Sequence, residues 1–352
     1  MKKWTFVLSA VALAAWQVPA HAQNFSADEL TRRHIERRAV EAVIWGMSAV
    51  NTDLMRQEML TKTNGKVNQF IYWGRPLDWR NQTLTPNPDT LYFMAFFNTK
   101  DVGPLVLEVP PGDANGSLNG NIVTTWQTSL EDVGLLGLDK GVGGKFLILP
   151  PDYAKAVPDG YFVYRSGTNN VFVFLRSFYQ DPDDLAPAVA VMEGTKIYPL
   201  GRESDSKPMQ YPDASGVPAN MLPLSDGDAF EQLKMLVDSE GTNLADPDWR
   251  GMLAAIGIIK GEPFNPDQQA RAILDRAAKT AYKTSRVVGF EDVVAGRNFR
   301  VYPDRRWVNP IADGTPSNAA PWICPGARWR ADNSIWTPAS GSSPTITRSA
   351  LG

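Results

Sequence analysis

Cysteine and histidine are almost missing from this chain. Its 352 residues contain one cysteine, Cys324, and two histidines, His21 and His34. One cysteine cannot make a disulfide within a chain. Loss of a leader holding His21 would leave one histidine and one cysteine, too few for a tetrahedral zinc site of those ligands. A serine triad would depend on His34, and no G-x-S-x-G elbow presents a nucleophile. Positive charge is also short: the formal net charge is −3, which argues against nucleic acid as a partner. No apolar run is long enough to span a bilayer. Catalysis, if there is any, is left to carboxylates, tyrosine, lysine, arginine or an oxygen-ligated divalent cation. No cofactor is predicted beyond such a cation.

The first 22 residues carry a different message from the rest. Lys2 and Lys3 precede an apolar stretch from Trp4 to Trp16, and Ala20-His21-Ala22 supplies small residues on either side of a cleavage point. This pattern predicts a secretory signal peptide cut after Ala22, and hence a periplasmic or secreted protein. Its removal makes the chain more acidic by the charges of Lys2 and Lys3.

Beyond the leader, residues 26–62 have helical periodicity. Ser26 and Glu29 form a capping box, and Leu30, Ile35, Val40, Val43, Ile44 and Met47 recur at helical spacing. His34 falls in a charged, solvated face. Gly46 and Ser48 predict a break before a second helical piece over 52–60. From residue 69 to about residue 200, short apolar runs alternate with Gly and Pro, predicting strands over 68–72, 90–98, 105–109, 122–126, 145–149, 160–164 and 171–178. Such spacing suggests a sandwich, and the doubly apolar run 171–175 suggests a central strand. A short helix is expected over 184–193. Residues 201–223 are polar and proline-rich, as a linker or surface loop would be. Three helices of roughly a dozen or more residues are expected between 228 and 286, separated at Asp246-Pro-Asp248 and at 261–266. The fold class is therefore α+β and mainly β.

Several motifs could carry chemistry. Gly141-Val-Gly-Gly-Lys145 is followed by a strand instead of a helix, so it reads as a hairpin loop and not as a phosphate cradle. Ser225-Asp-Gly-Asp228 lacks the remaining ligands of a calcium loop and suits a helix cap. In residues 85–92 two prolines fix a turn. The turn is either a rigid entry into a core strand or a device aiming Asn87, Asp89 or Tyr92 into a pocket. Trp126, Gln127, Glu131 and Asp132 gather at a strand end. Tryptophan beside amides and carboxylates suits a carbohydrate or aromatic ligand, and better still an ordinary sandwich core. The ligand-binding candidates are Asn87, Asp89, Tyr92, Trp126 and Gln127. An acid–base carboxylate would come from Asp53, Asp89, Glu131 or Asp132, with burial raising its pKa towards neutrality.

Collinear motifs at residues 46–55, 86–90, 101–104, 126–134, 143–151 and 256–267 resemble the tandem domains of unknown function 1254 and 1214 over about residues 41–314. The resemblance implies an N-terminal β-sandwich, a helical linking domain and a C-terminal jelly-roll-like domain. It also implies export and self-association, and no settled reaction. On this basis the chain divides into a leader (1–22), a helical segment (23–62), a sandwich (63–200), a linker (201–226), a helical domain (227–290) and the start of an incomplete second domain (291–320). Residues 321–352 depart from the family pattern, as a natural short variant or a frameshift would, and with synonymous codons freely chosen a shifted reading frame can encode family-like sequence. Trp322 before Ile323 and Trp336 before Thr337 each force an aspartate codon there. A frameshift near Ala320 is therefore expected, with Cys324 accidental and the C-terminal part poorly folded. Small-ligand or partner binding through the sandwich is the leading functional expectation. A hydrolase and a structural component of an envelope assembly are the alternatives.

Overall fold

The computed structural model describes residues 25–290 without 82–86, 88, 114–115, 204–210, 221 and 242–243, and without the side chains of 288–290. The expected leader, the expected start of a second domain, Cys324 and the rest of the tail beyond residue 290 lie outside the described residues.

Helix α1 (Ala27–Thr63) begins where the capping box places it, with the Ser26 hydroxyl accepting the Glu29 amide at 3.1 Å. The expected break at Gly46 and Ser48 does not occur, and α1 runs unbroken for 37 residues. Gly46 serves close approach instead: a Cβ there would lie 2.8 Å from Leu233 Cδ1 of a later helix. Helical glycine costs about 1 kcal/mol of propensity, which packing readily offsets.

Nine strands follow among the described residues: β1 (Phe70–Tyr72), β2 (Thr90–Asn98), β3 (Leu105–Val109), β4 (Ser117–Thr124), β5 (Ser129–Gly134), β6 (Gly144–Leu149), β7 (Phe162–Arg165), β8 (Asn170–Phe178) and β9 (Lys196–Pro199). A short helix α2 (Thr99–Val102) turns β2 into β3, and α3 (Ala186–Gly194) precedes β9. The strands form a five-stranded antiparallel sheet, β1-β2-β8-β4-β5, and a four-stranded sheet, β7-β6-β3-β9, in which β6 and β7 are parallel. β8 is the middle strand, as its two apolar faces require. Between the sheets lies a core that includes Phe93, Phe97, Leu107, Phe146, Ile148 and Val173.

The run read as a strand over 122–126 is the end of β4, whose earlier half is disguised by Asn119, Gly120 and Asn121. β5 and β9 were not anticipated. The glycine loop is not a hairpin: it links β5 of one sheet to β6 of the other. Gly141 and Gly143 there have φ of 76° and 75°, and a Cβ on Gly143 would meet the Val109 carbonyl at 2.6 Å. Part of the stretch 201–223 is tied to the sheet. The Tyr72 amide donates to Pro212 and the Ala214 amide to Tyr72, which buries Ala214.

Helices α4 (Asp228–Ser239), α5 (Pro247–Ala254) and α6 (Gln268–Phe290) complete the described chain. α5 has eight residues, shorter than its pattern suggests, because it ends at Ala254, just before Gly257 takes a φ of 87°. These helices share a core with α1 that includes Val43, Trp45, Phe230, Leu233 and Leu274. Further along α1, Met55 and Met59 cover part of the outer face of the five-stranded sheet, against Phe96, Val123 and Phe172.

Candidate functional site

Alternation along a strand sends every second side chain to the same face. On the outer face of the five-stranded sheet this aligns Phe96, Phe172 and Val123 in one row, Met94, Phe174 and Asn121 in the next, and Tyr92, Arg176 and Asn119 in the third. The first row is ordinary core, with the Phe96 and Phe172 rings stacked at 5.2 Å. The third is not. Arg176 stands on the central strand and is only 9% exposed. Its guanidinium carbon lies 5.4 Å from the centre of the Tyr92 ring and 5.1 Å from that of Phe174. Nη1 is sealed from solvent without a hydrogen-bond partner. Among the described residues no carboxylate forms an ion pair with Arg176.

Polar groups surround this cation. The Tyr92 hydroxyl accepts the Asn87 amide at 2.8 Å, and Asn87 Oδ1 accepts the Asp89 amide at 2.9 Å. Asn119 Oδ1 accepts the Leu136 amide at 3.2 Å. One row along, Asn121 Nδ2 donates to Asp132 Oδ1 at 2.5 Å. Asp132 is 1% exposed and pairs in register with Asn121, so it shares the outer face.

The residues singled out from sequence therefore separate. Tyr92 stands beside Arg176, Asn87 is bound to the Tyr92 hydroxyl, Asp132 lies on the same sheet face, and Asp89 is exposed two residues beyond Asn87. Burial, and after it the Asp89 charge, push the nearby Tyr179 phenol up. Glu131, the neighbour of Asp132 on a strand, points to the opposite face. There its carboxylate accepts the Tyr164 hydroxyl at 2.8 Å, a contact from the other sheet. Burial and this hydrogen bond raise the Tyr164 pKa above the ordinary phenol range.

Trp126 and Gln127 belong elsewhere. They sit in the β4–β5 turn, where Gln127 adopts a φ of 59°. The Trp126 ring packs 4.9 Å from Trp45, which stacks 5.1 Å from Trp249. Gln127 Nε2 donates to Thr52 Oγ1 at 2.9 Å. Asp53 is bound on α1 by Arg56 at 2.6 Å and Gln57 at 2.7 Å, and Gln232 of α4 also donates to it. Gln127 and Asp53 are thus held by α1 and α4, while Trp126 packs by its ring and its Nε1 is buried without a hydrogen-bond partner. Among the described residues no three His, Cys, Asp or Glu side chains gather as a metal site requires, and no helix is long and apolar enough to cross a membrane.

Arg176 and Phe174 did not stand out in the sequence. The signal was an arginine directly after the apolar run Val-Phe-Val-Phe-Leu (residues 171–175) of a strand read as central. A charge at such a position demands a reason.

Residues 67–199, which hold all nine described strands, match the family model described as "Protein of unknown function (DUF1254)". This corresponds to the first of the two domains that the motif resemblance implies. Among solved structures, the chain is similar to the VPA0106 protein from Vibrio parahaemolyticus. The two are 17% identical with a TM-score of 0.53, over 72% of this chain and 59% of that one. That likeness is one of fold, and this chain matches 59% of the length of its neighbour. An uncharacterised protein from Burkholderia cenocepacia aligns at 11% identity and a TM-score of 0.26, over 51% of this chain and 52% of the other. Its similarity is too slight to bear on the fold. No curated protein matches the chain.

Proposed function

We propose that this protein binds a small molecule on the outer face of its five-stranded sheet, at the row formed by Tyr92, Arg176 and Asn119, without acid–base catalysis. The observation that carries this reading is the buried guanidinium of Arg176, which has no acidic partner among the described residues. Burying an ion without its counter-charge costs several kcal/mol. Cation–π contact returns about 0.5–2 kcal/mol per ring, and the distances of 5.1 and 5.4 Å are near the outer limit for that contact. A deficit remains that a bound ligand would relieve.

The hydrolase alternative needs two carboxylates, or a carboxylate and a cation, converging on one substrate. Asp53, Glu131 and Asp132 are instead hydrogen-bonded into separate contacts on α1 and on opposite faces of β5. Export after cleavage near Ala22, an incomplete second domain and self-association where that domain is whole belong to the same reading. They await N-terminal sequencing of the exported protein, sequencing of the coding DNA around Ala320 and light scattering.

Thermal unfolding of the full chain against a panel of small acidic, basic and neutral ring compounds tests the binding. A compound that raises Tm in the wild type and loses its effect in Phe174→Ala supports the site. Compounds that act equally on both proteins, or a panel without effect, overturn it.

A further inference from the structure

We infer that the ligand of this site is a small monoanion whose single carboxylate is borne on a flat ring or planar group. The inference rests on the binding reading above and narrows it to a chemical class. Three features of the sheet face lead to it.

The first is donor geometry. A guanidinium presents its N–H groups in a rigid planar fork that matches the two oxygens of a carboxylate. Tyr92 adds a second donor. Its hydroxyl oxygen accepts the Asn87 amide at 2.8 Å, which leaves the phenolic hydrogen to point at an incoming acceptor. Arginine and a tyrosine hydroxyl stand in one row across neighbouring strands and would receive an oxyanion that parts the cover over Nη1, which is sealed from solvent.

The second is shape. The guanidinium lies over two rings, Tyr92 at 5.4 Å and Phe174 at 5.1 Å, which stack on each other at 5.3 Å. A planar ligand group extends such a stack at little cost, because aromatic faces prefer offset parallel or edge contacts. Arg176 is only 9% exposed, so a ligand has little room at this row, and a flat acid needs less than a branched one.

The third is charge. Arg176 supplies one positive charge, and Asp132 supplies one negative charge on the same face, held there by Asn121. Asn121 is two residues from Asn119 along β4, about 7 Å by strand rise. A monoanion balances Arg176 alone. A phosphate dianion brings a second charge that Arg176 does not balance.

Binding of benzoate, benzamide and phenyl phosphate to the full chain, measured by calorimetry, tests the class. Benzoate should bind, and benzamide, its neutral isostere, should bind at least about tenfold more weakly, the loss expected for one charge-assisted contact. Phenyl phosphate should bind more weakly than benzoate. Arg176→Lys, which keeps the charge and loses the fork, should reduce benzoate affinity, and Tyr92→Phe should reduce it further. The Tyr92→Phe readout stands even if Arg176→Lys fails to fold. Equal binding of benzoate and benzamide, lost in Phe174→Ala, would overturn the acid class and leave the site standing. Tighter binding of phenyl phosphate would overturn the monoanion. Binding of none of the three, with no effect from the wider panel, would overturn the site itself.

Discussion

At the scale of single residues, the sheet sandwich is held by polar contacts that cross it as well as by its apolar filling. Tyr164 on β7 reaches over to Glu131 on β5, and the carboxylate also accepts the Asp132 amide at 2.9 Å. Removing the hydroxyl leaves a buried carboxylate with one donor fewer, and hydrogen bonds to charged groups contribute about 1.5–3 kcal/mol. Tyr164→Phe is therefore expected to destabilise the protein by about 2 kcal/mol in chemical denaturation; an unchanged midpoint would refute the tie. The same scale explains what was legible of the site. Two prolines announced a rigid turn, and Asn87 and Tyr92 do meet there. Arg176 gave no comparable sign, because its meaning comes from the strands beside it. Only register places Tyr92 on one side and Asn119 on the other.

Between elements, one carboxylate fastens the helices to the sheet. Glu240, at the end of α4, accepts the Asn169 amide at 2.5 Å, the Asn170 amide at 3.2 Å and Asn170 Nδ2 at 2.8 Å, at the start of β8. Burial pushes its pKa up, although these donors pull it down. A raised folded pKa means that the fold prefers the protonated form. Stability from Glu240 is thus fully present below the ordinary value of 4.5 and is lost as pH rises through the raised one. Glu240→Ala orphans several buried donors and is expected to cost about 3 kcal/mol, the deficit against wild type widening as pH falls from neutrality into that window. A deficit independent of pH would show that the carboxylate does not titrate as its burial implies. Gly120 makes a sharper claim about packing between strands. A Cβ there would lie 2.3 Å from the Phe174 carbonyl oxygen, a backbone atom that cannot swing aside. Gly120→Ala is expected to lose more than about 3 kcal/mol, or to fail to fold, as judged by soluble yield and Tm.

That glycine also shows why elements were unequally legible. β2 and β3 were read at their true bounds because long apolar runs ended in clear turn residues. β4 was misplaced because Asn119-Gly120-Asn121 looks like a loop. β5 was missed because Glu131 and Asp132 are poor strand formers. Their polarity is satisfied by Tyr164 and Asn121, partners that come from elsewhere in the sandwich. Tertiary contact, absent from any local window, overrode local preference.

Across the whole molecule, the described chain has separate apolar cores, one between the sheets and one among the helices. What couples them is narrow. α1 supplies Trp45 to the helical core and Met55 and Met59 to the sheet face. The β4–β5 turn supplies Trp126, which leaves its own sheet to pack against Trp45 in the helical core. With both links intact, the helices and the sandwich are expected to unfold together. Trp126→Ala removes one link and opens a cavity whose cost is about 3–5 kcal/mol, borne by the helical side. Helical ellipticity and the infrared band of the β-strands should then separate in a thermal scan, the helices melting first, whereas in the wild type the two curves coincide. Coincident transitions in Trp126→Ala, merely moved to lower temperature, would mean that α1 and the Glu240 contacts carry the coupling without Trp126.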